Sequence, residues 1–456
     1  MIESVDVPKT DFSKWIAFNG EISLGENRTA INFQARIDET GEVEYLFKRM
    51  RLNDQLRFIY HTHDNQGSRF EQFSLRGLSE SGVQFKTDNL IFNAMNPSGG
   101  ELEGDWFQPT ASSSVTIILY PLSTHFGMPI MVFRLRGFQG ACALTEECEL
   151  GTLSMCGPNK IDDQNLLNGQ LRLKARSEPD DLVVWKDEAD KLLDHVRRVM
   201  SVGSSVILSS PIRLFYSEAV LELTAYSNAD QSKSSMQIVQ YHNQQKPFFE
   251  AAVTSFFKPP IEVKNLFFAI AWFAMDAKHI EISLINAMTA IENLVASNLD
   301  ESVSQIIPTK KFEKAKDVLR ASYRDFINKH YPSDEALMKA LVINFNEKLS
   351  DLNRRSIIDK LNALVLQWGV PLDGISQDQI KSAKKARDLI VHRGHYFDDD
   401  DHTNGELWDH FTVIRELVVR IFLTALGYRG QYISYVGGAK HVNFPPDSVG
   451  TTPSDV

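Results

Sequence analysis

Two hydrophobic periods divide this chain. Over residues 30–37 the apolar Ile31, Phe33, Ala35 and Ile37 alternate with Asn32, Gln34 and Arg36. A period of two predicts a strand with one buried face. The same alternation predicts strands over 114–122, 131–136, 170–176 and 219–226, with shorter ones over 206–208 and 213–216. Polar and glycine-rich turns over 96–100 and 157–163 separate some of them. Many short strands without long helices between them predict a sandwich or a distorted barrel. One helix interrupts the series, over 188–200, with Leu192, Leu193, Val196, Val199 and Met200 on one face and Gly203 as its stop.

At Pro259-Pro260 the pattern changes, since neither residue continues a ladder or a helix interior. Beyond it the period is helical. Residues 262–297 predict one long helix or a pair broken near 276–279. Further helices are predicted over 310–329, 334–349, 353–368, 377–393 and 406–426, with Ser333 or Asp334 as a cap and Gly427 as the last stop. The expected architecture is α+β and multidomain. A β-rich region covers 1–259, with a subdivision near 186, and an all-α bundle covers 260–430. A C-terminal tail covers 431–456, disordered from 441 where prolines and small polar residues dominate.

Composition narrows the function classes. The 456 residues carry a net charge of −11, so any contact with nucleic acid must come from a local basic patch. The first fifteen residues lack the apolar core of a secretory signal, and the apolar run over 266–275 is about half a bilayer span. Cys142, Cys148 and Cys156 are too few for a disulfide framework. The expectation is a cytoplasmic protein without a membrane anchor.

The chemistry concentrates in one segment, Ala386-Arg387-Asp388-Leu389-Ile390-Val391-His392-Arg393-Gly394. It supplies a permanent cation for phosphate, an acidic neighbour and a histidine, the group suited to acid–base work near neutral pH. Lys381, Lys384, Lys385, Arg387 and Arg393 make the segment locally basic. Five residues of an ideal helix turn through about 140°, so Arg387 and His392 would lie on different faces. They meet only if the helix unwinds near His392, for which Gly394 offers a reason, or if a second subunit completes a shared cleft.

With the helices around it, and with Ile285–Ser297 (INAMTAIENLVAS) ahead of it, this segment resembles the HEPN superfamily. The mark of that family is an arginine, a polar neighbour and a histidine after a gap of four to six residues, late in a helical bundle. Arg387, Asp388 and His392 match it, and Glu292 stands where such proteins often carry an acidic residue. A β-rich half before the bundle is similar to the ApeA-type anti-phage proteins.

The resemblance implies a metal-independent endoribonuclease that acts as a homodimer or higher homo-oligomer on RNA, with tRNA among the candidate substrates. It needs no cofactor and is released by a phage-derived trigger. His392 would move the proton, Arg387 would stabilise phosphate charge and Asp388 would orient them. Lys384, Lys385 and Arg393 would hold RNA, with Glu292 in support, and the products would be a 2′,3′-cyclic phosphate and a 5′-hydroxyl. The alternative is a non-catalytic HEPN module that dimerises or binds RNA beside a ligand-sensing β domain.

Other candidates carry blander readings. The cysteines, even with His125, lack the spacing of a zinc site, and His61 and His63 share a strand face without a third ligand. The acidic run 398–401 before His402 reads as a solvated loop, or as a shield over the site. Arg172, Lys174 and Arg176 share one strand face, suited to solvent, RNA or another subunit.

Overall fold

The computed structural model describes residues 12–48, 72–94, 106–107, 110–122, 127–140, 143–160, 163, 165–226, 236–240, 242–275, 277–331, 335–397 and 404–446. The chain divides into two compact units, Met1–Lys258 and Pro259–Val456.

The first unit is built on a 14-stranded antiparallel sheet among the described residues. Its strands are β1 (Ile16–Leu24), β2 (Asn27–Ile37), β3 (Val43–Lys48), β4 (Phe73–Leu78), β5 (Gln84–Ala94), β6 (Trp106–Phe107), β7 (Thr110–Ser113), β8 (Val115–Pro121), β9 (Ile130–Arg136), β10 (Leu144–Cys148), β11 (Gly151–Cys156), β12 (Gly169–Lys174), β13 (Ser209–Tyr216) and β14 (Val220–Tyr226). The order β10-β11-β12-β9-β13-β14-β8-β5-β4-β1-β2-β3-β6 runs along one path, with β7 beside β5.

The sheet curls on itself. Three strands separate β3 from β5, yet the rings of Tyr45 and Phe85 lie 6.0 Å apart and those of Phe47 and Phe92 5.8 Å apart. The Tyr45 hydroxyl shares hydrogen bonds with Ser113 (2.8 Å) and Thr116 (3.2 Å). Aromatic area fills the concavity, with Phe33 stacked on Phe18 at 5.0 Å and edge-on to Phe85 at 5.1 Å. Gly77 on β4 makes room for this: a Cβ there would stand 2.7 Å from the Phe33 ring.

Helix α1 (Leu182–Ser204) packs on β9 and β12. Asp181 caps it, accepting from Val183 and Val184 N–H. Gly203 does not end this helix, which continues to Ser204, with Ser205 in the left-handed conformation. Gly203 instead leaves space for Phe248, whose ring would lie 2.9 Å from a Cβ. Phe248 belongs to a second helix, α2 (His242–Phe257), where the sequence reading has a single helix. Pro247 inside α2 masks its apolar stripe of Phe248, Phe249, Ala252 and Val253.

The second unit contains α3 (Leu266–Ala274), α4 (Ile280–Asn298), α5 (Thr309–His330), α6 (Glu335–Leu349), α7 (Ile357–Trp368), α8 (Gln377–Arg393) and α9 (Asn404–Leu426). α4 is central and packs against α3, α7, α8 and α9, while α5 and α6 pack chiefly on each other. Tyr323 and Phe345 stack at 3.9 Å between α5 and α6.

The segment expected to be a tail folds in part. β15 (Gly430–Ser434) and β16 (Lys440–Phe444) form a hairpin, so the disorder expected from 441 does not hold as far as Phe444. Burial supplies the reason, since Tyr432 and Phe444 are both interior. The Tyr432 hydroxyl donates to Glu416 on α9, which also accepts from Arg420 Nε at 2.9 Å. No helix among the described residues is long and apolar enough to cross a membrane.

Candidate functional site

The Arg387–His392 segment is the C-terminal half of α8. The helix starts on a capping box in which Ser376 and Gln379 satisfy each other's backbone N–H groups. Ile380, Ala383, Ala386 and Ile390 form its buried stripe against the bundle. It ends at Gly394, φ +85°, whose N–H donates to the Ile390 carbonyl at 2.8 Å. The helix therefore stays wound through Arg393, and the unwinding expected near His392 does not occur. A left-handed glycine one position past the end caps the last turn and leaves it intact.

Arg387 flanks the buried stripe on the side of α4. Its Nη2 donates to Glu292 Oε1 at 2.8 Å and its Nη1 to Asp388 Oδ1 at 3.4 Å. Asp388 also accepts from Lys384. Arg387 Nε is buried and makes no hydrogen bond. The side chain is 22% exposed, so this is a half-buried ion-pair cluster. His392 is exposed near the end of the same helix. Arg387 and Glu292 are thus brought together across 95 positions, whereas Arg387 and His392 within one chain are not.

The neighbouring cations are partly neutralised. Lys381 faces Asp378 at 3.6 Å and Lys384 is paired with Asp388. Lys385 and Arg393 are exposed. The local basic patch is therefore weaker than its sequence suggests.

Beyond Gly394 lies a cluster that the motif does not include. Tyr396 is buried and meets Phe397 at 5.4 Å and His410 at 6.1 Å, both edge-on. Burial, with Glu406 adding to it, pushes the Tyr396 hydroxyl up to about 12. His410 Nε2 lies 3.9 Å from Glu406, and His395 Nδ1 is 2.8 Å from the Phe397 carbonyl. An aromatic pair two positions after a helix-ending glycine was the sequence signal for this anchor. Its histidine and glutamate come from α9 and left none.

The remaining candidates are dispersed. Cys148 stands at the turn end of the β10–β11 hairpin and Cys156 at the other end of β11, each as a free thiol. Among the described residues no three potential metal-binding side chains cluster. Arg172 and Lys174 share a face of β12, while Arg176, beyond its end, pairs with Glu147 at 2.6 Å. Cys142, His125, His61, His63, the acidic run 398–401, His402, and the Ser333 and Asp334 caps lie outside the described residues.

No family model, curated protein or solved structure matches this chain.

Proposed function

We propose that the helical unit is a metal-independent endoribonuclease of the HEPN type that cuts RNA, tRNA included, in the cytoplasm during abortive anti-phage defence. Two copies of the chain complete its site, and the β-rich half holds it silent until a phage-derived trigger arrives. The observation that carries this reading is the arrangement on α8. Arg387 is steadied by Glu292 and Asp388, and an exposed His392 follows five residues later on a helix that remains intact.

Because the helix does not unwind, the cation and the imidazole lie about 140° apart within one chain. Pairing two copies lets the His392 of one act beside the Arg387 of the other. His392 then takes the ribose 2′-hydroxyl proton or returns one to the leaving 5′-oxygen. Arg387 stabilises the charge that grows on the phosphate, with Asp388 orienting it. Val391, next to His392 and 50% exposed, offers apolar area for a second copy.

The double ion pair of Arg387 favours a second reading, in which the bundle only assembles oligomers. Purified His392→Ala and Arg387→Ala chains separate the two. The nuclease reading expects both to stay folded and to lose metal-free RNA cleavage by at least a hundredfold. Cleavage at the unmodified rate in both would remove it.

A further inference from the structure

Two pockets among the described residues of the first unit differ in how their cations are matched. One, of about 290 Å³, lies between α1 and the β13–β14 strands. Its Arg213 meets Asp190 at 2.7 Å, and its Lys186 meets Glu222 at 2.5 Å. Its charges are already answered within the chain.

The other, of about 260 Å³, is lined by Arg134, Cys156, Gly157, Asn168, Gly169 and Gln170. Among the described residues no carboxylate pairs with Arg134. Arg172, two positions along β12 from Gln170, is on the same face and equally lacks an acidic partner. Its Nε is buried without a hydrogen bond. The strand register places these groups together, with Gln170 opposite Arg134 and Arg172 opposite Val132. Diagonal neighbours on one sheet face stand roughly 7–8 Å apart, a gap that a phosphate group between two guanidiniums can span.

A second observation is independent of charge. Both polar atoms of the Asn168 amide are buried, and neither makes a hydrogen bond. Buried amides without partners are uncommon and costly, which marks this one as a group awaiting a ligand. Gly157 and Gly169 contribute nothing to the inference, because the packing of Phe138 explains them: a Cβ on either would press on it.

We propose that this pocket binds a small phosphate-bearing ligand, seated between Arg134 and Arg172 and hydrogen-bonded by the amides of Asn168 and Gln170. The volume is below the roughly 300–1,000 Å³ of sites for drug-sized molecules, so the ligand is a mononucleotide or a smaller anion. The site stands on its own residues and does not depend on the ribonuclease reading.

Isothermal titration of the full chain with inorganic phosphate and, separately, adenosine monophosphate tests this. Saturable binding of at least one probe is expected. Tighter binding of the nucleotide by tenfold or more would assign the ligand to nucleotides, and equal binding would assign it to the free anion. Arg134→Gln should weaken binding at least tenfold. Gln170→Glu should do the same without lowering the melting temperature, because it gives Arg134 the carboxylate it lacks. Bound ligand should also slow alkylation of Cys156 but not of Cys148, read by peptide mass spectrometry. Non-saturable uptake of an adventitious ion only, or unchanged binding in both variants, would overturn the proposal.

Discussion

Arg420 and Arg387 in the helical unit and Arg134 and Arg172 on one face of the sheet are matched in opposite ways. In the bundle, Arg420 is buried and satisfied by Glu416, the Tyr432 hydroxyl and the carbonyls of Pro371 and Asp373. Arg387 is answered by Glu292 and Asp388, with Nε held back. On the sheet, Arg134 and Arg172 have no such carboxylates among the described residues. A cation met by a carboxylate and by backbone carbonyls inside the chain is structural. One that is half-answered is poised, and one left unanswered in a pocket is a receptor for an anion outside the chain.

The largest effect that tests this contrast is expected at Arg420, where a carboxylate, a phenol and two carbonyls meet the cation. Glu416→Ala would strand a buried guanidinium and a buried phenol together, at a cost of about 3–5 kcal/mol. Denaturant unfolding of the full chain would show it, and a loss below about 1 kcal/mol would break the contrast.

A medium effect comes from pH in the first unit. Burial pulls the His195 imidazole down to about 4, against 6.5 in its ordinary state, and its Nε2 lies 3.1 Å from Ser255 Oγ. Between pH 6.5 and about 4 the unfolded chain therefore binds the proton and the folded one does not. Stability falls as pH drops through that window and levels off below it, by no more than about 3 kcal/mol. Unfolding midpoints across the window should be steeper in the unmodified chain than in His195→Gln.

The smallest effect is the most telling. Burial lowers the proton affinity of Arg172, with the Tyr216 hydroxyl and the Cys156 thiol, rather than a carboxylate, acting against it. Arg172→Met should therefore change stability by less than about 0.5 kcal/mol or raise it slightly, while weakening phosphate binding. A large loss of stability would mean that Arg172 has a structural partner.

Much of the bundle was legible because its signals are local. The helix expected over 377–393 is α8, with Ser376 and Gly394 marking its ends. The break expected near 276–279 separates α3 from α4. What escaped is non-local or masked by one residue. Pro247 hid α2, and buried Tyr432 and Phe444 turned an expected tail into a hairpin. The curl of the sheet rests on Tyr45 meeting Ser113, 68 positions away. The site divides the same way. The spacing of Arg387, Asp388 and His392 is readable along the chain, whereas the Arg387–Glu292 contact is a product of helix packing. The Asn168 pocket depends on strand register that no short window contains.

The most direct test of the central claim, that Arg387 and His392 act together across two copies, is complementation. Arg387→Ala and His392→Ala chains, each inactive alone, are unfolded, mixed and refolded together, then incubated with total tRNA in EDTA. A shared site predicts that mixed pairs hold one intact Arg387–His392 combination, so cleavage returns to about a quarter of the unmodified rate and leaves 2′,3′-cyclic phosphate ends. A mixture as silent as either chain alone, beside an active unmodified protein, would contradict it.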